Sequence, residues 1–228
     1  MTERPLAIFD LDGTLTRRDS FLPFLISFGC RHARYGSLVG LPFTVGAYAC
    51  RLMADHAAKE RLLVSFLKNV PLETIEEHAT WFCRTWLPRT LHLVGFRLLR
   101  WHQTAGHRTL LLSASPDVYV RRIARTLGIE EVVCTRTQTR DALCLGTLDG
   151  SNCKGLQKLE MLQAHLKSAT APRHSYAYGD SRHDQPVLEW VRHGHLIRRN
   201  AHIPLRRRDQ ARKGNLDLPP VEVNSSCL

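Results

Sequence analysis

Asp10 and Asp12 stand one residue apart in "IFDLDGTLT", Ile8 to Thr16, straight after apolar residues and straight before Gly13. A strand ending in a polar turn would explain such a stretch, since Asp and Gly are ordinary turn residues. Two carboxylates this close nevertheless repel, and burying them is costly unless a cation sits among them. More groups of the same kind follow. Ser113 closes the apolar run "TLLLSAS", and Lys154 and Lys158 stand in "CKGLQK". Asp180 and Asp184 lie in "GDSRHD". Oxygen-only acidic ligands suit Mg²⁺, which is held by one or two carboxylates together with waters and substrate phosphate.

These groups can act together only if the chain gathers them. Leu6 to Phe9, Thr109 to Ser115 and Ser175 to Ser181 are short apolar runs ending in turns, the pattern of buried strands in a parallel sheet. Val132 to Thr135 and His195 to Arg199 are weaker strands of the same kind. Helical periodicity lies between them. Val120, Ile123 and Leu127 share a face ahead of Gly128, and Leu156, Leu159, Leu162 and Leu166 share another. Strands alternating with helices predict a doubly wound α/β core, in which ligands bind at the carboxyl ends of the strands. All of the polar groups above fall at such ends or at the helix start that precedes one.

The segment 19–103 breaks the alternation, with helical periodicity throughout and no clear strand, and is read as a helical insert. The expected division is a core of 1–18 and 104–214, a cap of 19–103, and a loosely ordered tail of 215–228. Within the cap, Gly36 to Cys50 has no charged residue. It is shorter than the roughly 20 apolar residues needed to span a bilayer, and Pro42 interrupts it. A buried cap helix is the first reading of this stretch and a membrane-surface element the second.

Taken in order, "DLDGTLT", the strand-end serine, the helix-start lysine and "GDSRHD" resemble the four motifs of the haloacid dehalogenase superfamily of phosphatases. The spacing of "SASPDVYV", "GSNCKGLQK" and "YGDSRHDQPVLE" is most similar to its subfamily IB, the phosphoserine-phosphatase-like hydrolases. The resemblance runs from Leu6 to about Asn200. It implies a Rossmann-like, mostly parallel sheet with a helical cap after the first strand. It also implies a Mg²⁺-dependent phosphomonoester hydrolase working through an aspartyl-phosphate. Asp10 would be the nucleophile and Asp12 the general acid and base, its backbone carbonyl helping to hold the metal. Gly13 and Thr14 would approach the phosphate, Ser113 would hydrogen-bond it, and Asp180 and Asp184 would complete the metal site. One lysine is needed against the phosphate. Lys154 fits the pattern of phosphoserine phosphatases, whereas Lys158 fits the C-x-G-x-x-K of closer IB hydrolases and is preferred. Asp19 matches an acidic substrate contact, or caps the helix that begins beside it. Ser113-Ala114-Ser115 replaces Ser-Gly-Gly, and the nearest cap arginine, Arg61, is out of register; both count against phosphoserine as the substrate.

The charge of +11 favours an anionic partner. A small phosphorylated metabolite is the first expectation. A phospholipid precursor such as phosphatidylglycerophosphate, met at an anionic membrane, is the second. A non-catalytic nucleic-acid binder using Arg198 to Lys213 is disfavoured, because such a protein has no need to gather carboxylates. Transfer to an acceptor other than water is a further variant of the same chemistry. Seven cysteines without a CxxC pair, and no leader before the first strand, lead to the expectation of a reduced cytoplasmic protein, membrane-associated if the second substrate class holds. The twelve histidines form no HExxH and are expected mostly at the surface, so zinc is not expected.

Overall fold

The computed structural model describes residues 4–50, 52–198 and 201–204. The tail 215–228 and the basic residues Arg199, Arg206, Arg207, Arg208, Arg212 and Lys213 lie outside the described residues. The chain begins with β1 (Leu6–Phe9) and passes into helices α1 (Phe21–Arg31), α2 (Tyr35–Ala49) and α3 (Asp55–Leu67). A two-residue strand β2 (Val70–Pro71) leads to α4 (Leu72–Thr85), α5 (Leu87–Thr90) and α6 (Leu93–Thr104). Then come β3 (Arg108–Pro116), α7 (Asp117–Leu127), β4 (Glu131–Thr135), β5 (Thr137–Arg140) and β6 (Leu143–Leu148). The last elements are α8 (Leu156–Leu166), β7 (Ser175–Gly179), α9 (Gln185–Trp190), β8 (His193–Arg198) and β9 (Ala201–Pro204).

The main sheet has the order β4-β3-β1-β7-β8-β9, parallel except for β9. It is the mostly parallel, helix-flanked α/β fold expected. β1 is central, between β3 and β7, and all four of its residues are buried. Successive side chains on a strand point to opposite faces. Ala7 and Phe9 accordingly enter one apolar cluster, with Phe24, Phe66 and Leu98 from the helices after β1. Leu6 and Ile8 enter another, with Leu162 of α8 and Val187 of α9. A strand covered on both faces must be apolar throughout, which is why "LAIF" does not alternate.

α7 buries Val120, Ile123 and Leu127 and ends on Gly128 at φ 70°, as its sequence predicts. α8 keeps most of its expected face, with Leu162 buried and Leu159 and Leu166 packed on the same cluster, but Leu156 is 68% exposed. Lys158 is turned inward, and residues two apart on a helix point about 200° apart. The segment read as purely helical contains β2, which pairs antiparallel with β6. Its partner is a β5–β6 hairpin far along the chain, so no local pattern announces it. Four histidines, 78, 92, 102 and 195, are buried rather than at the surface. α2 is the largest correction. The helix forms over Tyr35–Ala49 with Pro42 inside it, yet it is not buried. Only one side meets α1 and α3, and the other carries exposed Tyr35, Val39 and Phe43.

Candidate active site

The carboxyl ends of β1 and β7 are adjacent in the sheet, and the turns that follow deliver Asp10, Asp12, Asp180 and Asp184 to one place. Gly13 makes this possible. It sits at φ +89°, and a Cβ there would lie 2.1 Å from Asp180 Oδ2, so the turn after β1 passes against the second acidic loop with no room for a side chain.

Asp10 and Asp184 are buried, and one oxygen of each lies within 4.8 Å of the others and of an Asp180 oxygen. Lys158, 3% exposed, donates from Nζ to Asp10 Oδ1 at 2.6 Å and also to Asp184 Oδ1. Ser181 donates to Asp184 Oδ2 from its backbone N–H (3.1 Å) and its hydroxyl (2.8 Å). Burial pushes the Asp10 carboxyl up, to about 8, against the pull of Lys158 and with the push of Asp184. Burial and Asp184 also raise Asp180. At Asp184 burial acts upward too, but Lys158 and Ser181 outweigh it and the net direction is down. Burial would deprotonate Lys158, yet its two carboxylates more than compensate and hold it charged. Three converging carboxylates facing one ammonium leave an excess of negative charge. An all-oxygen donor set of this charge fits a hard divalent cation.

Asp12 faces elsewhere. Its Oδ1 accepts from the Ser20 N–H (2.8 Å) and its Oδ2 from Ser115 Oγ (2.6 Å). Burial and then Asp19 push its carboxyl up to about 6, against the hydrogen bonds of Ser115 and Ser20. A held carboxyl titrating near neutrality can give and take a proton at working pH.

The groups open into a cavity of about 660 Å³. Asp10, Asp12, Gly13, Lys158, Asp180 and Asp184 line one end. Phe21, Leu22, Val45, Ala58 and Leu62 make an apolar wall from the first three helices, and Arg17 and Arg18 also line it. Asp19 lines it as well, while its Oδ1 accepts from the N–H groups of Phe21 (3.0 Å) and Leu22 (3.3 Å), so the residue also caps α1. Lys154 lines it too, and its Nζ is paired with Asp55 at 3.2 Å. Two residues expected at the phosphate lie beneath the surface. Ser113 is 1% exposed and its Oγ accepts from the Ser115 N–H (3.1 Å), while Thr14 is fully buried with its hydroxyl unbonded.

Several lining groups escaped the sequence reading. Ser115 lies two residues beyond Ser113 on β3, and its signal was the second serine of "SAS". Lys59 of α3 donates to the Ala114 carbonyl (2.7 Å) and to Asn152 Oδ1 (2.6 Å). Asn152 Nδ2 donates in turn to Asp55 Oδ2 (2.6 Å). Burial pushes Lys59 down to about 8, against the pull of Asp55. The first turns of α3 are thereby clasped to the end of β3 and to the loop that leads into α8. Only the spacing of Asp55 and Lys59, four residues apart on one helix face, was visible beforehand.

A doubly wound sheet with acidic turns, a buried lysine and a roofed cavity at its strand ends defines a class of phosphoryl-handling hydrolase. The sequence pattern of the haloacid dehalogenase-like hydrolases matches residues 7–189, and the chain belongs to that family. It is 31% identical over 192 residues to the protein CicA of Caulobacter vibrioides, covering 82% of this chain and 84% of that one. It is 27% identical over 212 residues to a probable phosphatase of Mycobacterium tuberculosis, covering 85% and 69%. A phosphoserine phosphatase solved with an analogue of its phospho-aspartyl intermediate superimposes with a TM-score of 0.53 at 16% identity, covering 83% and 84%. At that identity the likeness is one of fold. The chain is a phosphatase of this family, and among the described residues no helix is long and apolar enough to cross a membrane.

Proposed function

We propose that this phosphatase hydrolyses a small phosphomonoester with Mg²⁺ through an aspartyl-phosphate on Asp10. The observation that carries the reading is the buried Lys158, bonded to both Asp10 and Asp184 at the acidic end of the cavity, with Asp12 held beside it by Ser20 and Ser115. Asp10, Asp180 and Asp184, with the backbone carbonyl of Asp12, would hold the metal. When bound, it neutralises charge on the carboxylates and on the phosphoryl oxygens.

An Asp10 carboxylate oxygen attacks phosphorus, and the bond from phosphorus to the ester oxygen breaks. Asp12, protonated, gives its proton to the leaving oxygen. Asp12, now ionised, takes a proton from a water that attacks the phosphorus of the aspartyl-phosphate. The bond from Asp10 to phosphorus breaks, and inorganic phosphate and the Asp10 carboxylate are released. Lys158 keeps Asp10 oriented and balances the charge of the incoming phosphate, while Asp184 and Ser181 keep Lys158 in place. Ser115 and Gly13 line the cavity whereas Ser113 and Thr14 do not, so Ser115 and the backbone around Gly13 join Lys158 in meeting the phosphate. The helical segment 19–103 acts as a cap that selects the leaving group, through Asp19 and the apolar wall.

A small phosphorylated metabolite satisfies the cavity's volume. A second substrate class, a phospholipid precursor such as phosphatidylglycerophosphate, is favoured by the apolar wall of Phe21, Leu22, Val45, Ala58 and Leu62. Phosphate release from soluble and lipid monoesters, measured with and without Mg²⁺, tests the reading. Release that needs Mg²⁺ and disappears in Asp10→Asn is expected. Undiminished release by Asp10→Asn would contradict it.

A further inference from the structure

The solvent side of α2 carries no charged residue. Tyr35, Val39 and Phe43 follow one another along one face and are 63%, 70% and 75% exposed, and Pro42, Gly46 and Ala49 continue that side. A surface helix normally turns polar residues to water, and a helix apolar all round belongs in a core or a bilayer. The inner side of α2 already packs on α1 and α3, and Ser37 Oγ donates to the Ser65 carbonyl (2.5 Å). An apolar face of this kind marks an interaction surface.

The charges around it identify what it meets. From Ser20 to Ala54 the sequence has no carboxylate, and its described residues carry Arg31 and Arg34. Arg31 is exposed at the end of α1. Arg61 is exposed at the middle of α3 and Lys68 at its end, which the Ser37–Ser65 bond ties to the first turn of α2. A second copy would set these cations against one another, whereas an anionic bilayer would attract all of them. α2 has 15 residues, too few to span, so it would lie in the plane of the interface. Thr44 and Val45, on the inner side of the same helix, line the cavity, so α2 has this face on one side and the active site on the other.

We propose that the outer face of α2 is a docking surface for an anionic lipid bilayer. It holds the cavity at head-group level, so that the ester hydrolysed is the phosphorylated head of a lipid. This rests on the phosphatase reading and selects its lipid substrate class.

The test is co-sedimentation of the full chain with vesicles of phosphatidylcholine mixed with phosphatidylglycerol, beside vesicles of phosphatidylcholine alone. Hydrolysis of soluble p-nitrophenyl phosphate is followed in parallel. Binding to the anionic vesicles is expected, weakened by salt and reduced ~tenfold or more by Val39→Glu with Phe43→Glu. Hydrolysis of the soluble ester should be unchanged, which also shows that the variant folds. A Phe43→Trp variant should add blue-shifted emission on the same vesicles. Absent vesicle binding, or binding indifferent to these substitutions, would overturn the docking surface while soluble-ester hydrolysis leaves the phosphatase reading standing. A dimer dispersed by the same substitutions, with no lipid binding, would overturn it in favour of a second copy. Vesicle binding without hydrolysis of any ester would support the surface and sink the phosphatase reading instead.

Discussion

At the scale of single residues, the site depends on carboxylates placed where they are electrostatically uncomfortable. Asp180 is raised by burial and by Asp184, so Asp180→Asn should relieve repulsion in the metal-free protein. The expected result is a metal-free melting temperature equal to or above that of the natural protein, without the rise that Mg²⁺ is expected to give the natural protein. Thermal unfolding with and without Mg²⁺ checks both halves. Ser115 supplies a different test. Its hydrogen bond favours ionised Asp12, so Ser115→Ala should raise the Asp12 pKa. One hydrogen bond is worth about 1 kcal/mol, which is about half to one pH unit. In the proposed mechanism Asp12 is protonated when it expels the leaving group, so the alkaline limb of the kcat profile should move upward by that amount. A limb that stays in place would remove Asp12 from the acid role.

At the scale of elements, the site is held by how α8, α3 and α6 sit against the sheet. Asn152 receives Lys59 and Thr135 and donates to Asp55, making it the hub of the clasp between α3 and the loop before α8. Asn152→Ala should loosen that contact, raising KM and speeding amide exchange in the first turns of α3, with a smaller effect on kcat. His102 of α6 reports on the sheet contact instead. It is fully buried, bonded to Tyr178 OH at 2.9 Å, and burial, then His107, lower it to about 3. The unfolded chain binds this proton near pH 6.5 and the folded chain only near 3, so stability rises with pH across that window and is lost as pH falls through it. The loss is about 1.4 kcal/mol per pH unit. Urea unfolding at pH 6.5 and 5 should show a drop of which His102→Gln removes about 2 kcal/mol, the remainder belonging to other buried histidines such as His78, which burial lowers to about 4.

At the scale of the whole molecule, most of the architecture was legible because a parallel sheet buried on both faces writes itself as short apolar runs. β1, β3 and β7 announced themselves in that way, and their polar ends marked the site before any coordinates. α7 was legible for the same reason, with one apolar face and a glycine stop. The pattern failed where a contact was made from afar. β2 exists only because β6 comes back to it, and Lys59 reaches the cavity only because α3 lies over the loop after β6. α8 was legible except at its first residue, where Leu156 is exposed and Lys158, a charged residue buried between two carboxylates, turns inward. Motif position pointed Ser113 and Thr14 toward a phosphate but carried no information on depth, and both side chains are buried. The apolar stretch of α2 reads first as core and second as a membrane-surface element, because nothing in composition distinguishes a helix covered by protein from one left open.

The most direct measurement is a rapid acid quench of the Mg²⁺-loaded enzyme turning over a radiolabelled phosphate ester, followed by peptide mapping. Hydrolysis through Asp10 predicts label on the peptide that contains Asp10, released by hydroxylamine and absent in Asp10→Asn. Steady phosphate release with no labelled protein, or with label on another residue, would contradict it.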